Sequence, residues 1–102
     1  MYEAPSELRP FLTPGGRLTA LPAKHRKKLL ALWYLAGKLD AGRQHTQPEI
    51  NERLNDWALF RDPATFRREL YNKRLLNRTD AGSLYWRAGE LPALEEFLRR
   101  YL

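Results

Sequence analysis

The sequence has no cysteine and only two histidines. Without a thiol there is no disulfide framework, no thiolate metal site and no cysteine nucleophile. No apolar run approaches the roughly 18 residues of a membrane span, and there is no signal-peptide pattern, so a soluble, cytoplasmic protein is expected. His25 and His45 are accompanied by no Ser-His-Asp, paired-carboxylate or phosphate-loop pattern. His45 and Glu49 stand four apart at a helix start, but two ligands do not make a metal site. Catalysis, a cofactor and a bound metal are therefore not expected.

Positive charge, by contrast, is in excess. The 102 residues hold 18 Lys+Arg against 12 Asp+Glu, a formal +6. Hydrophobic residues make up 43% and aromatics 12%, enough for one small packed core and too many for a disordered chain. The basic balance favours a polyanionic partner, most simply nucleic acid.

Residues 1–22 contain four of the seven prolines, Pro5, Pro10, Pro14 and Pro22, and the Gly15-Gly16 pair. They predict an extended arm with a turn at Pro14-Gly15-Gly16. Phe11, Leu12, Leu18 and Leu21 would pack this arm on a domain formed by residues 23–102, with a short strand at 17–20.

Residues 23–39 follow helical spacing. Leu29, Leu32, Trp33, Ala36 and Leu39 share one face, Lys27, Ala31 and Lys38 the opposite one, with Leu30 and Tyr34 on the shoulder. Asp40-Ala41-Gly42 ends this helix. Thr46-Gln47-Pro48-Glu49 is a capping box that opens a second helix, burying Ile50, Leu54 and Trp57. Asp62-Pro63 repeats the start signal for a third helix over 62–74, with Phe66 and Leu70 facing inward. Two β-prone runs around Asp80-Ala81-Gly82 predict a hairpin over 76–87, with Tyr85 and Trp86 on opposite faces. The chain closes with a helix over 92–102 whose stripe is Leu91, Leu94, Leu98 and Tyr101, widened by Phe97. This order predicts a mainly α (α+β) fold, a winged helix-turn-helix with a C-terminal amphipathic helix.

In that fold the 62–74 helix is the recognition helix, and Ala64, Thr65, Arg68, Tyr71 and Asn72 face outward. The set suits base edges in a major groove. Arginine bonds guanine bidentately, asparagine bonds adenine, and threonine or alanine touches a thymine methyl. Phosphate contacts are expected from Lys24, Arg26, Lys27 and Lys28, a basic run that opposes the dipole at the first helix's N-terminus. Arg67, Arg74, Arg78 and Arg87 extend this set, with Thr79 and Ser83 at the hairpin tip. The C-terminal stripe can fold back over Leu30 and Tyr34 or pair with its copy in a homodimer.

Together these residues resemble a bacterial family known only as a domain of unknown function. Its members occur alone or fused behind winged-helix repressors of the arsenical-resistance type. The resemblance rests on Gly16-Arg17-Leu18, Leu21-Pro22-Ala23-Lys24, Tyr34-Leu35-Ala36 and Asn51-Glu52-Arg53-Leu54. It continues through Ala64-Thr65-Phe66-Arg67-Arg68-Glu69-Leu70 and Tyr85-Trp86-Arg87, covering residues 11–87. It implies a role in transcription. Two departures stand out: an enlarged turn at 57–62, and Asn72-Lys73-Arg74 where the family tends to an acidic residue and a glycine. Losing that glycine removes the easy left-handed helix end and makes it more basic.

The expected function is thus sequence-specific binding of double-stranded DNA by a small regulator. The alternatives are a protein-interaction module on the same scaffold, or RNA binding if Tyr71 or Trp86 is exposed in the basic surface.

Overall fold

The apolar run in the first long helix forms the centre of the molecule. In the computed structural model, described over residues 4–102, helix α1 (His25–Ala36) is buried at every position from 29 to 36. Ala31, expected on a solvent face, is fully covered. The reason is tertiary. An N-terminal 3-10 helix (Ser6–Phe11), helix α3 (Pro63–Asn72) and helix α4 (Leu94–Tyr101) pack around α1 and leave it no free side. Full burial of each leucine contributes about 1.5–3 kcal/mol, which holds a helix whose N-cap, Lys24, supplies no side-chain cap.

The arm is more structured than an extended tail. Leu8 and Leu18 are fully buried in the same core as α1, so the arm is part of the domain. Its first three residues lie outside the described residues. No strand forms over 17–20, because Leu18 is drawn into single bridges with Leu12 and Ala58. The Leu18 N–H donates to the Trp57 carbonyl at 2.8 Å, and the Leu59 N–H returns to Leu18 at 2.9 Å. Gly16, at φ 83°, lets the Tyr34 hydroxyl donate to its carbonyl at 2.6 Å; a Cβ there would stand 2.8 Å from that oxygen.

Helix α2 (Gln47–Trp57) begins with the expected capping box, Thr46 and Glu49 each bonding the other's backbone N–H. Ile50 and Leu54 are buried, whereas Trp57 is only half-buried, with the Lys38 ammonium 4.6 Å from its ring. Asp62 caps α3, which spans ten residues and turns Phe66 and Leu70 inward. Phe60, in the connecting turn, packs on Phe66 with ring centroids 5.0 Å apart.

The hairpin of β2 (Leu76–Arg78) and β3 (Tyr85–Arg87) forms as expected, and a third strand, β1 (Gln44–His45), joins it. The antiparallel order is β1-β3-β2, with His45 opposite Tyr85 and Asn77 opposite Trp86. Tyr85 and Arg87 point into the core, and Trp86 lies half-buried on the other face. The molecule is therefore a mixed α+β domain: one 3-10 helix, four α-helices and a three-stranded sheet among the described residues. No helix among them is long and apolar enough to cross a membrane.

Helix α4 folds back on α1. Leu91, Phe97 and Leu98 are buried, and Leu94 and Tyr101 pack against the same core. The Trp33 indole N–H donates to Pro92 at 2.9 Å, and the Tyr101 hydroxyl donates to Lys73 at 3.0 Å. The Leu91, Leu94, Leu98 and Tyr101 stripe thus folds back onto the core of its own chain.

Candidate nucleic-acid interface

A depression of about 380 Å³ separates the outer face of α3 from the hairpin, lined by Ala64, Arg67, Arg68, Tyr71, Asn72, Arg78 and Tyr85. Helical spacing explains the set. With Phe66 and Leu70 inward, positions 64, 68, 71 and 72 turn outward, and position 67 turns toward the sheet. Arg67 Nη1 donates to the Tyr85 hydroxyl at 3.3 Å, while its buried Nε has no partner. From the other wall the Arg78 guanidinium lies 4.8 Å from the centroid of the exposed Tyr71 ring. Gly82 makes room for it, since a Cβ there would come within 3.3 Å of Arg78 Nη1. A second depression, lined by Tyr71, Asn72, Arg74, Leu76 and Asn77, shares two residues with the first and extends the same face.

On this face Arg67, Arg68, Arg74 and Arg78 form no ion pair among the described residues, and Arg68 feels Glu69 only at longer range. The pairs that form are elsewhere: Arg26–Glu7, Lys28–Glu69, Arg43–Asp40, Arg53–Asp56 and Arg100–Glu96. Glu69 projects from α3 toward α1, where the hydrogen bond from Lys28 lowers its pKa below the usual carboxylate range. The hydrogen bond from Arg26 does the same to Glu7 and raises Arg26 in return.

Several residues expected at the interface are engaged otherwise. Thr65 donates its hydroxyl to the Asp62 carboxylate at 2.7 Å, so it serves the N-cap of α3. Arg87 is buried, and its guanidinium donates to the carbonyls of Leu39, Ala88 and Gly89, so it does not offer a phosphate contact. Its burial was readable, because a residue two along a strand from the core Tyr85 shares its face. In the basic run, Arg26 and Lys28 are held by carboxylates and Lys27 lies 6.0 Å from the Phe11 ring. Lys24 is exposed. Thr79 and Ser83 bond one another at 3.0 Å, and Thr79 also accepts from two backbone N–H groups, which organises the turn. The residues brought together are thus Ala64, Arg67, Arg68, Tyr71, Asn72, Arg74 and Arg78.

His45 is buried with neither ring nitrogen hydrogen-bonded, and Glu49 accepts from Thr46, which lowers its pKa.

Fold and site define a small α+β domain whose concave face, between one helix and a hairpin, is cationic. The chain belongs to the DUF2087 family, described as an uncharacterized protein conserved in bacteria, whose model matches residues 17–87. That match spans α1 through β3, including both walls of the depression. No curated protein and no solved structure matches the chain.

Proposed function

We propose that this domain is a winged helix-turn-helix that binds double-stranded DNA and regulates transcription. Helix α3 enters the major groove, and the hairpin lies along the flanking backbone. The observation that carries this reading is the depression between α3 and the hairpin, where Arg67, Arg68 and Arg78 meet with no carboxylate in its lining. The chain order of α1, β1, α2, α3, β2 and β3, with β1 paired to β3, supports the winged-helix assignment. Arg68 and Asn72 present the donor and acceptor sets that read guanine and adenine, while Ala64 and Tyr71 supply apolar contact. Arg67, Arg74 and Arg78 neutralise phosphates, with Lys24 and Lys27 beyond them.

Selection from a randomised duplex library tests this, with a single-stranded pool run alongside. Enrichment of a duplex motif that Arg68→Ala blurs at one position is the expected result. No enrichment in the duplex pool would overturn it. One observation favours a second reading: Tyr71 is 43% exposed amid these cations and can stack on an unpaired base. Enrichment confined to the single-stranded pool would establish that reading instead.

A further inference from the structure

A depression of about 790 Å³ lies between the arm and the C-terminal end of α2. It shares no lining residue with the two depressions on the cationic face. One wall is the turn at 13–17, where the Gly16 N–H donates to Thr13 at 2.9 Å and the Thr13 N–H to Arg17 at 2.8 Å. The other is a stripe of α2 at helical spacing, Arg53, Asp56 and Trp57. Ala58 follows in extended conformation and is buried, so Leu59 projects to the same side as Trp57. Leu59 is 45% exposed, and Trp57 beside it is half-buried. The cations around this apolar strip are underused. The Arg17 guanidinium makes no hydrogen bond, ion pair or ring contact among the described residues. Arg53 meets the Asp56 carboxylate at 3.7 Å, beyond hydrogen-bond length, and its buried Nε has no partner. Lys38 adds a third positive charge 4.6 Å from the Trp57 ring, and Asp56 is the one acidic residue in the lining.

We infer that this depression docks an acidic segment of a partner protein, one with an apolar side chain between carboxylates. Trp57 and Leu59 take up the apolar side chain, as tryptophan at the centre of an interface commonly does. Arg17 and Arg53, one from each wall, each pair with a carboxylate through the planar guanidinium fork. Charge complementarity selects an acidic occupant over a basic one. The aspartate and the exposed leucine in the lining weigh against a nucleic-acid backbone, which offers phosphate oxygens and no apolar anchor. The turn is closed by its own hydrogen bonds, and the Tyr34 hydroxyl holds Gly16 at 2.6 Å. That wall is therefore fixed before binding, which lowers the ordering cost of association. Neither site uses a residue of the other, so the inference stands independently of the duplex reading.

The test uses short synthetic peptides in which a leucine or tryptophan is flanked by aspartates and glutamates. Lysine-flanked peptides with the same apolar residue serve as controls. Fluorescence anisotropy gives affinity, and amide chemical shifts give the site. The acidic peptides bind saturably with shifts at Arg17, Arg53 and Leu59, and the basic ones do not bind. Arg17→Gln and Leu59→Ser, both at exposed positions, each weaken that binding by about tenfold or more and leave the salt slope of duplex binding unchanged. Asp56→Asn tightens it, because a competing carboxylate is gone; a merely structural Asp56 would have no such effect. Failure of every acidic peptide to bind, or binding that Arg17→Gln and Leu59→Ser leave unchanged, would overturn the inference and leave the duplex reading intact. A shallower duplex salt slope in Arg17→Gln would overturn it by giving this face to nucleic acid. Self-association of the chain that Leu59→Ser abolishes would overturn it by giving the face to a second copy.

Discussion

Arg78 on the hairpin stacks over Tyr71 on α3, its guanidinium carbon 4.8 Å from the ring centroid. The contact ties the two walls of the cationic depression together and holds one guanidinium at a fixed height above the helix. An exposed cation–π contact stabilises by only about 0.5–1 kcal/mol, so its main consequence is positional.

Arg78→Ala is therefore expected to lower stability by no more than about 1 kcal/mol. It weakens duplex binding for all sequences alike, and the salt slope falls by about 0.9. Arg78→Lys restores the slope but not the full affinity, because an ammonium lacks the planar face that stacks on the ring. Fluorescence anisotropy across a salt series checks both. A change in base preference in Arg78→Ala would contradict a phosphate role.

Arg87 separates structure from binding. In Arg87→Ala the Leu39 carbonyl would be left buried and under-bonded, and those of Ala88 and Gly89, nearer solvent, would lose a charged donor. Hydrogen bonds to a charged group contribute about 1.5–3 kcal/mol each, and partial relaxation brings the expected loss to about 3 kcal/mol in urea unfolding. The variant that remains folded binds duplex DNA as the parent does. A weakened affinity at unchanged stability would mean that Arg87 reaches the nucleic acid.

His45 sits across from Tyr85 in the sheet, with both ring nitrogens buried and unpartnered. A buried polar group without a partner costs about 1–3 kcal/mol. His45→Leu removes that penalty at similar volume, so its melting temperature should equal or exceed the parent's. A fall of several degrees would show that an imidazole nitrogen is bonded after all.

Acid should destabilise the domain. Glu7, Glu49 and Glu69 all have folded pKa values below the ordinary range, through Arg26, the Thr46 backbone and Lys28 respectively. Carboxyls lowered by folding contribute stability that is fully present above their unfolded value, near 4.3, and is lost as pH falls through the folded values. The melting temperature is thus level near neutrality and declines below about pH 4.5. Glu69, the least exposed of the three, contributes most, so Glu69→Gln flattens the decline. A melting temperature that rises on acidification would contradict these pairings.

What was legible in the sequence was mostly local. The Thr46–Glu49 box and the Asp62-Pro63 start lie within one helical turn, so α2 and α3 were placed to within a residue or two. The hairpin followed from its β-prone runs and the glycine turn. What escaped was set by distant partners. Two residues of β1 find their mate in β3, forty positions on, and Ala31 is covered by elements from both ends of the chain. Arg26 and Lys28 looked available because Glu7 and Glu69 stand far from them in sequence. Thr65 is a different case, since Asp62 three residues earlier already marked its hydroxyl for the cap.

The central claim is that the face shared by α3 and the hairpin binds duplex DNA. Amide chemical-shift mapping during titration with an enriched duplex tests it most directly. Shifts are expected to concentrate at Ala64, Arg67, Arg68, Tyr71, Asn72, Arg74 and Arg78, with α4 silent. Shifts gathered instead around Arg17, Arg53 and Leu59, which line a separate depression, or no shifts with any duplex, would contradict it.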